Sequence, residues 1–298
     1  MASSEAKRLR AELHPSRAIA EYSPAEWRQQ QMKAAEKDVL PAGVQVRRAT
    51  VAGLACEWHR PGELESNRTI LFLHGGGFVL GDYVTHRNFA SRVALATGAR
   101  TLVPNYRLAP EDPFPAGVQD AVAAYDALLG EGVSPSRLVV MGDSAGGGLA
   151  ASLLLSLRDS GRPLPALGVV ISPWTDLTLS GESYRTRVDL DPIDREQLLR
   201  RMAAMYVPKG DPATPLASPL FGDLRGLPPL FIQAGDHEVL LDDSVKFAES
   251  ARAAGVDVEI EVWPEMWHGW YMAAPALPEA NEVITRIGAY VRRRMPDK

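Results

Sequence analysis

Gly142-Asp143-Ser144-Ala145-Gly146 places a serine in a bracket of small residues. A serine hydroxyl becomes a strong nucleophile when a sharp turn exposes it and a neighbouring base takes its proton. Such a turn strains the backbone, and the positions two residues either side must lack bulk. Gly142 and Gly146 meet that need, and Gly147 and Gly148 extend it. A second run, His74-Gly75-Gly76-Gly77-Phe78, lies well before the serine. Attack on an acyl carbonyl creates an oxyanion, which needs backbone N–H donors free of obstructing side chains. A glycine run supplies them, and Ala145, directly after the nucleophile, adds another. His74 precedes these donors and reads as a structural anchor of the loop.

These residues need elements to hold them. Residues 138–141 read as a strand before Ser144, and 149–157 as an apolar helix after it. That helix turns its positive end toward the serine, where negative charge develops. A chance glycine-rich turn would lack this context. Further strands are expected at 44–51, 54–60, 69–73, 99–103, 167–171, 229–234 and 256–262. Helices are expected at 85–97, 116–129, 244–254 and 282–294. Gly53 turns the first strand into the second. Short apolar strands alternating with helices predict a mostly parallel sheet covered on both faces. Ser23-Pro24-Ala25-Glu26 reads as a capping box opening a helix toward Val39. The stretch 174–228 is too long for a crossover, and Asp191-Pro192 opens a helix in it that runs to about Tyr206. Residues 1–40 and 174–216 are therefore expected to cap a catalytic domain of 41–173 and 217–298.

Composition is that of a globular protein: 298 residues, 46% hydrophobic and 23% charged. A net charge of -5 disfavours a nucleic-acid partner. Cys56 is the single cysteine, so no internal disulfide can form. No apolar run approaches the ~18 residues of a membrane span, and the charged N-terminus lacks a signal-peptide pattern. The expected location is the cytoplasm.

The glycine run, then Tyr106-Arg107-Leu108-Ala109-Pro110-Glu111 with Phe114-Pro115-Ala116, then Gly142 to Gly147, in that order, resemble the bacterial hormone-sensitive-lipase-like esterases. Glu238 to Asp243 and His268 extend the resemblance, which covers roughly residues 40–295. It implies the α/β-hydrolase fold, with an eight-stranded, mostly parallel sheet, helices on both faces and a helical cap. It implies a carboxylesterase acting on a small-molecule ester, with no cofactor and no metal. It also implies that Gly76 and Gly77 serve the oxyanion hole with Ala145.

The fold's chain order is nucleophile, acid, histidine. Of six histidines, His14, His59, His74 and His86 precede Ser144, and His237 lies where the acid belongs. That leaves His268 as the base. The family's acid is followed two residues later by leucine and two further on by aspartate. Leu240 and Asp242 align to that pattern and put Glu238 in the acid position, with Asp236 as the alternative. Asp242 and Asp243 are expected to cap the next helix. Arg107 is expected to pair with Glu111 or Asp143.

Lactone or formamide hydrolysis would use the same triad. A non-catalytic receptor of this fold would lack the histidine, and a true lipase would need an apolar lid, whereas residues 1–40 are rich in charge. Strand 256–262 closes the sheet and is expected to form a homodimer edge. Its Asp257, Glu259 and Glu261 share one face, and Val258, Ile260 and Val262 are expected to pack on helices from the other.

Overall fold

The computed structural model describes residues 2–13, 22–62, 66–193 and 196–297. Its elements run α1 (Ser4–Glu12), α2 (Pro24–Ala35), β1 (Val44–Val51), β2 (Leu54–Pro61), β3 (Thr69–Leu73), α3 (Arg87–Thr97), β4 (Arg100–Pro104), α4 (Ala116–Gly130), β5 (Leu138–Asp143), α5 (Ala145–Asp159) and β6 (Leu167–Ile171). They continue with α6 (Ser183–Thr186), α7 (Glu196–Tyr206), β7 (Leu230–Gly235), α8 (Leu241–Ala253), β8 (Val258–Trp263) and α9 (Pro278–Arg294). The strands form one sheet in the order β1-β2-β4-β3-β5-β6-β7-β8. β2 pairs antiparallel with β1 and with β4, and all other pairings are parallel. This is the α/β-hydrolase fold.

The strand pleat divides the core. Ile70 and Phe72 of β3, with Val139 and Met141 of β5, enter a cluster with residues of α3 and α9. Leu71 and Leu73, with Leu138 and Val140, enter the other cluster, with residues of α4, α5 and α8. Successive side chains of a strand point to opposite faces, so each uninterrupted apolar run feeds two cores.

Several boundaries and partners differ from the sequence reading. α5 starts at Ala145, four residues before its apolar pattern, because the glycines that pack the turn carry no periodic signal. α2 has the expected capping box but ends at Ala35, leaving Val39 exposed. The stretch 1–40 divides: α1 buries Ala6 in the α3/α9 cluster, and Ser3 donates its backbone N–H and its hydroxyl to Glu279. Residues 14–21 lie outside the described residues, as do 194 and 195 ahead of α7.

Three electrostatic expectations need correction. Arg107 pairs with Asp120 at 2.8 Å, because the second turn of α4 brings that carboxylate alongside, while Glu111 takes Arg28 at 2.8 Å. Asp242 and Asp243 lie within the first turn of α8 and do not cap it. Asp242 accepts from the backbone of Glu182 and Ser183, and Asp243 from Thr175 N and Asp176 N, both at 2.8 Å. They tie the stretch after β6 to α8. Burial, with Asp176 alongside, pushes the Asp243 carboxyl up to about 8. On β8 the acidic face also meets a helix, whose arginines pair with it while its carboxylates stay partly exposed. Glu259 pairs with Arg293, Glu261 with Arg286 and neighbouring Asp257 with Arg294, all on α9. Val258 and Ile260 pack on the other core, but Val262 is exposed. Among the described residues, no helix is long and apolar enough to cross a membrane.

Candidate active site

Ser144 stands between the last residue of β5 and the first of α5, with φ 54° and ψ -127°. For an L-residue this region costs about 1–3 kcal/mol and persists only where the surroundings enforce it. Here Ser144 N donates to Ile171 O at 2.8 Å, and Ser144 O accepts from Trp174 N at 2.9 Å. The turn closes tightly enough that a Cβ on Gly142 would strike the Gly146 carbonyl, and one on Gly146 the Leu73 and His74 carbonyls. That contact explains the bracket of small residues.

His268 arrives on the loop after β8, and its Nε2 lies 2.9 Å from Ser144 Oγ. Its Nδ1 lies 3.2 Å from Glu238 Oε2, across the loop that follows β7. The other oxygen of Glu238 accepts from Ser172 Oγ at 2.6 Å and from Gly235 N at 2.7 Å. Glu238 is fully buried, so these donors fix its orientation as well as satisfying it. With Nδ1–H donated to the carboxylate, Nε2 is left as the acceptor for the serine proton. Asp236, the alternative acid, instead accepts from Glu265 N, and its side chain is 39% exposed.

Gly76 and Gly77 have φ of 121° and 64°, and Val79 N and Leu80 N both return to the Gly76 carbonyl. The N–H groups of Gly76, Gly77 and Ala145 donate to no described backbone group. At Ala145 this follows from its place as the first residue of α5, where no intrahelical acceptor exists.

Sequence reasoning named His74 as the anchor of this loop, and its Nδ1 lies 2.9 Å from the Gly75 carbonyl, but it missed the part played by Asp143, His86 and Tyr271. Gly75 N donates to Asp143 Oδ1 at 3.0 Å and approaches His86 Nε2 at 3.2 Å. Tyr271 donates its hydroxyl to Asp143 Oδ2 at 3.1 Å. Burial raises the Asp143 carboxyl, but the adjacent His86 ring and the Tyr271 hydroxyl outweigh it and hold it below its usual range. Asp143 therefore stands as a buried carboxylate linking the elbow to the glycine loop. Its one signal in the sequence was its place beside Ser144. His74 is buried and stacks on Tyr106 at 4.3 Å between ring centroids, while Tyr106 donates its hydroxyl to the His74 carbonyl. Burial pushes the His74 imidazole down to about 3, so it is neutral at physiological pH.

Ser144, His268, Gly76 and Gly77 border a cavity of about 460 Å³. α2 contributes Trp27, Gln31, Ala34 and Ala35, and α7 contributes Leu198, Leu199 and Met202. The Met202 thioether lies directly against Gly77, where a Cβ would collide with it. Among the described residues, no three His, Cys, Asp or Glu side chains converge as metal ligands would.

Residues 70–272 match the model of a family described by its α/β hydrolase fold. An acetyl-hydrolase of Streptomyces hygroscopicus is 49% identical over 247 residues, covering 82% of this chain and 81% of the relative. The carboxylesterase NlhH of Mycobacterium tuberculosis is 38% identical, covering 76% of this chain and 73% of the relative. A crystal structure of an esterase from the bacterial hormone-sensitive lipase family superposes with a TM-score of 0.94 at 43% identity, covering 99% of this chain and all of that one.

Proposed function

The chain belongs to the bacterial hormone-sensitive-lipase family of α/β-hydrolase-fold proteins and is a carboxylic ester hydrolase, and on that premise we propose that it cleaves short-chain acyl esters through Ser144, His268 and Glu238. The observation that carries this reading is the line of hydrogen bonds from Ser144 Oγ through His268 to Glu238, together with the N–H groups of Gly76, Gly77 and Ala145, which donate to no described backbone group. In the reaction, His268 Nε2 takes the hydroxyl proton as Ser144 Oγ attacks the acyl carbon. Glu238 holds the tautomer and stabilises the imidazolium. Gly76, Gly77 and Ala145 bind the oxyanion. Collapse of the intermediate breaks the bond to the alcohol, which leaves with the proton from His268. Water then attacks the acyl-enzyme with His268 again as base, releasing the acid and restoring Ser144.

In this reading α2 and the 174–216 segment form a cap over a catalytic domain of 41–173 and 217–298. Leu198, Leu199 and Met202 bound the cavity near the oxyanion glycines, which limits chain length. The name of the acetyl-hydrolase relative points the same way. Across p-nitrophenyl esters from acetate to palmitate, kcat/KM should peak at butyrate or hexanoate. A maximum at palmitate, or at emulsified triglyceride, would refute the short-chain assignment.

The reading includes a homodimer joined through β8, which lies at the sheet edge with β7 as its partner on one side. A second copy related by a two-fold axis would pair with the other side. Multi-angle light scattering at micromolar concentration should give twice the chain mass of 32.4 kDa. A proline at Ile260 or an adjacent edge position should lower that mass, because proline removes a ladder donor. A mass near 32.4 kDa for the unaltered protein would mean that the edge stays unpaired.

A further inference from the structure

The glycine loop is held by side chains from other elements. Glycines have more conformational freedom than other residues, so N–H donors carried on a glycine run keep one direction only where neighbours fix the peptide units. Two units lead to the donor at Gly76. In the first, Tyr106 donates its hydroxyl to the His74 carbonyl at 2.7 Å, and Gly75 N–H faces Asp143 Oδ1 and His86 Nε2. In the second, the Gly75 carbonyl lies 2.9 Å from His74 Nδ1. That carbonyl shares a planar trans unit with Gly76 N–H, and the two groups point opposite ways. Whatever fixes Gly75 therefore aims the Gly76 donor. The fit is close, since a Cβ on Gly75 would strike Asp143 Oδ2.

His86 reaches this junction from outside the loop. It stands directly before α3 and makes no side-chain cap to that helix. Thr85 gives its hydroxyl to the Asp82 carbonyl, so His86 Nδ1, 2.9 Å from the Thr85 oxygen, is the donor of that pair. Nε2 is turned into the junction, 3.2 Å from Gly75 N and 3.5 Å from Asp143 Oδ2. The residue is buried, with the Phe72 and His74 rings beside it.

We infer that His86 is a positioning residue for the oxyanion hole: with Asp143 it holds Gly75 so that Gly76 N–H points at the oxyanion as it forms. The inference rests on the serine-esterase reading above and deepens it. The ester is bound by the cavity walls, whereas the hold on Gly75 acts when the carbonyl oxygen takes up charge. Its loss should therefore appear in kcat and in the binding of a transition-state analogue, with KM little changed.

Two neutral amides that differ in reach test this. His86→Asn, whose amide stops near the place of Nδ1, should lower kcat for p-nitrophenyl butyrate by about 10–100-fold, with KM within about threefold. His86→Gln carries its amide out to the place of Nε2 and should bring kcat back to within about fivefold of the parent. The inhibitor 1,1,1-trifluoro-2-hexanone gives a second readout. Ser144 Oγ adds to its carbonyl carbon, the serine proton passes to His268, and the carbonyl oxygen becomes an oxyanion in the hole. In His86→Asn its Ki should rise by about the factor by which kcat falls, while Ki for 2-hexanone, which binds without forming that oxyanion, stays within about twofold. His86→Leu, which also removes the contact, covers the case in which the asparagine variant does not fold. A folded variant lacking the contact with kcat within about threefold of the parent overturns the proposal. So does a Ki that rises equally for both ketones, or a His86→Gln enzyme no better than His86→Asn. Ser144→Ala separates the two levels. If turnover survives it, the serine-esterase reading falls. If turnover is lost in Ser144→Ala but ignores His86, the assignment of His86 alone falls.

Discussion

Ser144→Ala should lower kcat for p-nitrophenyl butyrate by about 10⁴–10⁶-fold, the usual cost of losing a nucleophile that acts as a unit with its base. The reason lies in the elbow. Oγ is the atom 2.9 Å from His268 Nε2, Gly76 and Gly77 border the same cavity, and the N–H groups of Gly76, Gly77 and Ala145 donate to no described backbone group. Alanine has no atom to form the acyl bond, and what remains is oxyanion binding alone. The fold should survive, because the bonds that hold the turn belong to the backbone: Ser144 N to Ile171 O, and Trp174 N to Ser144 O. A circular dichroism spectrum and a urea midpoint matching the parent would establish that. Turnover within about tenfold of the parent would remove Ser144 from the mechanism. Labelling by an organophosphate gives an independent readout, with the mass increase on the peptide containing Ser144 and absent from the alanine variant.

Glu238→Gln should cost about 10³–10⁴-fold in kcat, and Asp236→Asn no more than about threefold. The glutamine amide has one acceptor, and two donors already claim it: Ser172 Oγ and Gly235 N converge on Oε1. With its oxygen held there, the amide turns its NH₂ toward His268 Nδ1. The imidazole must then carry its proton on Nε2, the nitrogen that should accept from Ser144. The variant is therefore caught in the wrong tautomer rather than merely deprived of a charge. Asp236 bonds to the Glu265 backbone and stands partly in solvent, so its loss touches loop geometry before it touches chemistry. If Asp236→Asn proves the more damaging change, the acid has been assigned to the wrong carboxylate.

The distinction between Glu238 and Asp236 marks how far one-dimensional information reaches. Local signals were legible. The small residues around Ser144, the glycine run after a five-residue apolar strand, and the switch from strand to helix at the serine all lie within a few residues of one another. Their cause is steric and acts at short range. The apolar runs of the central strands likewise announced a sheet covered on both faces, and the resemblance to the esterase family added the eight-stranded α/β-hydrolase architecture that the fold has. For the acid, the family pattern of Leu240 and Asp242 favoured Glu238 over Asp236, two residues away, and the course of the loop after β7 turns Glu238 toward His268.

Long-range partners were illegible for the same physical reason. Asp143 meets Gly75 across 68 residues, and Asp243 meets Thr175 across another 68. Neither pairing has a spacing that a periodicity could reveal. Arg107 found Asp120 because α4 begins where it does, and the acidic face of β8 met the arginines of α9 because that helix returns over the sheet. A charge takes whichever counter-charge the packed backbone brings within reach, and that is set by the arrangement of whole elements. The sequence by itself determined which residues could do the chemistry and the kind of turn that must carry the nucleophile. The tertiary structure decided which buried groups hold those residues in place, because hydrogen bonds and ion pairs depend on distance through space and not on separation along the chain.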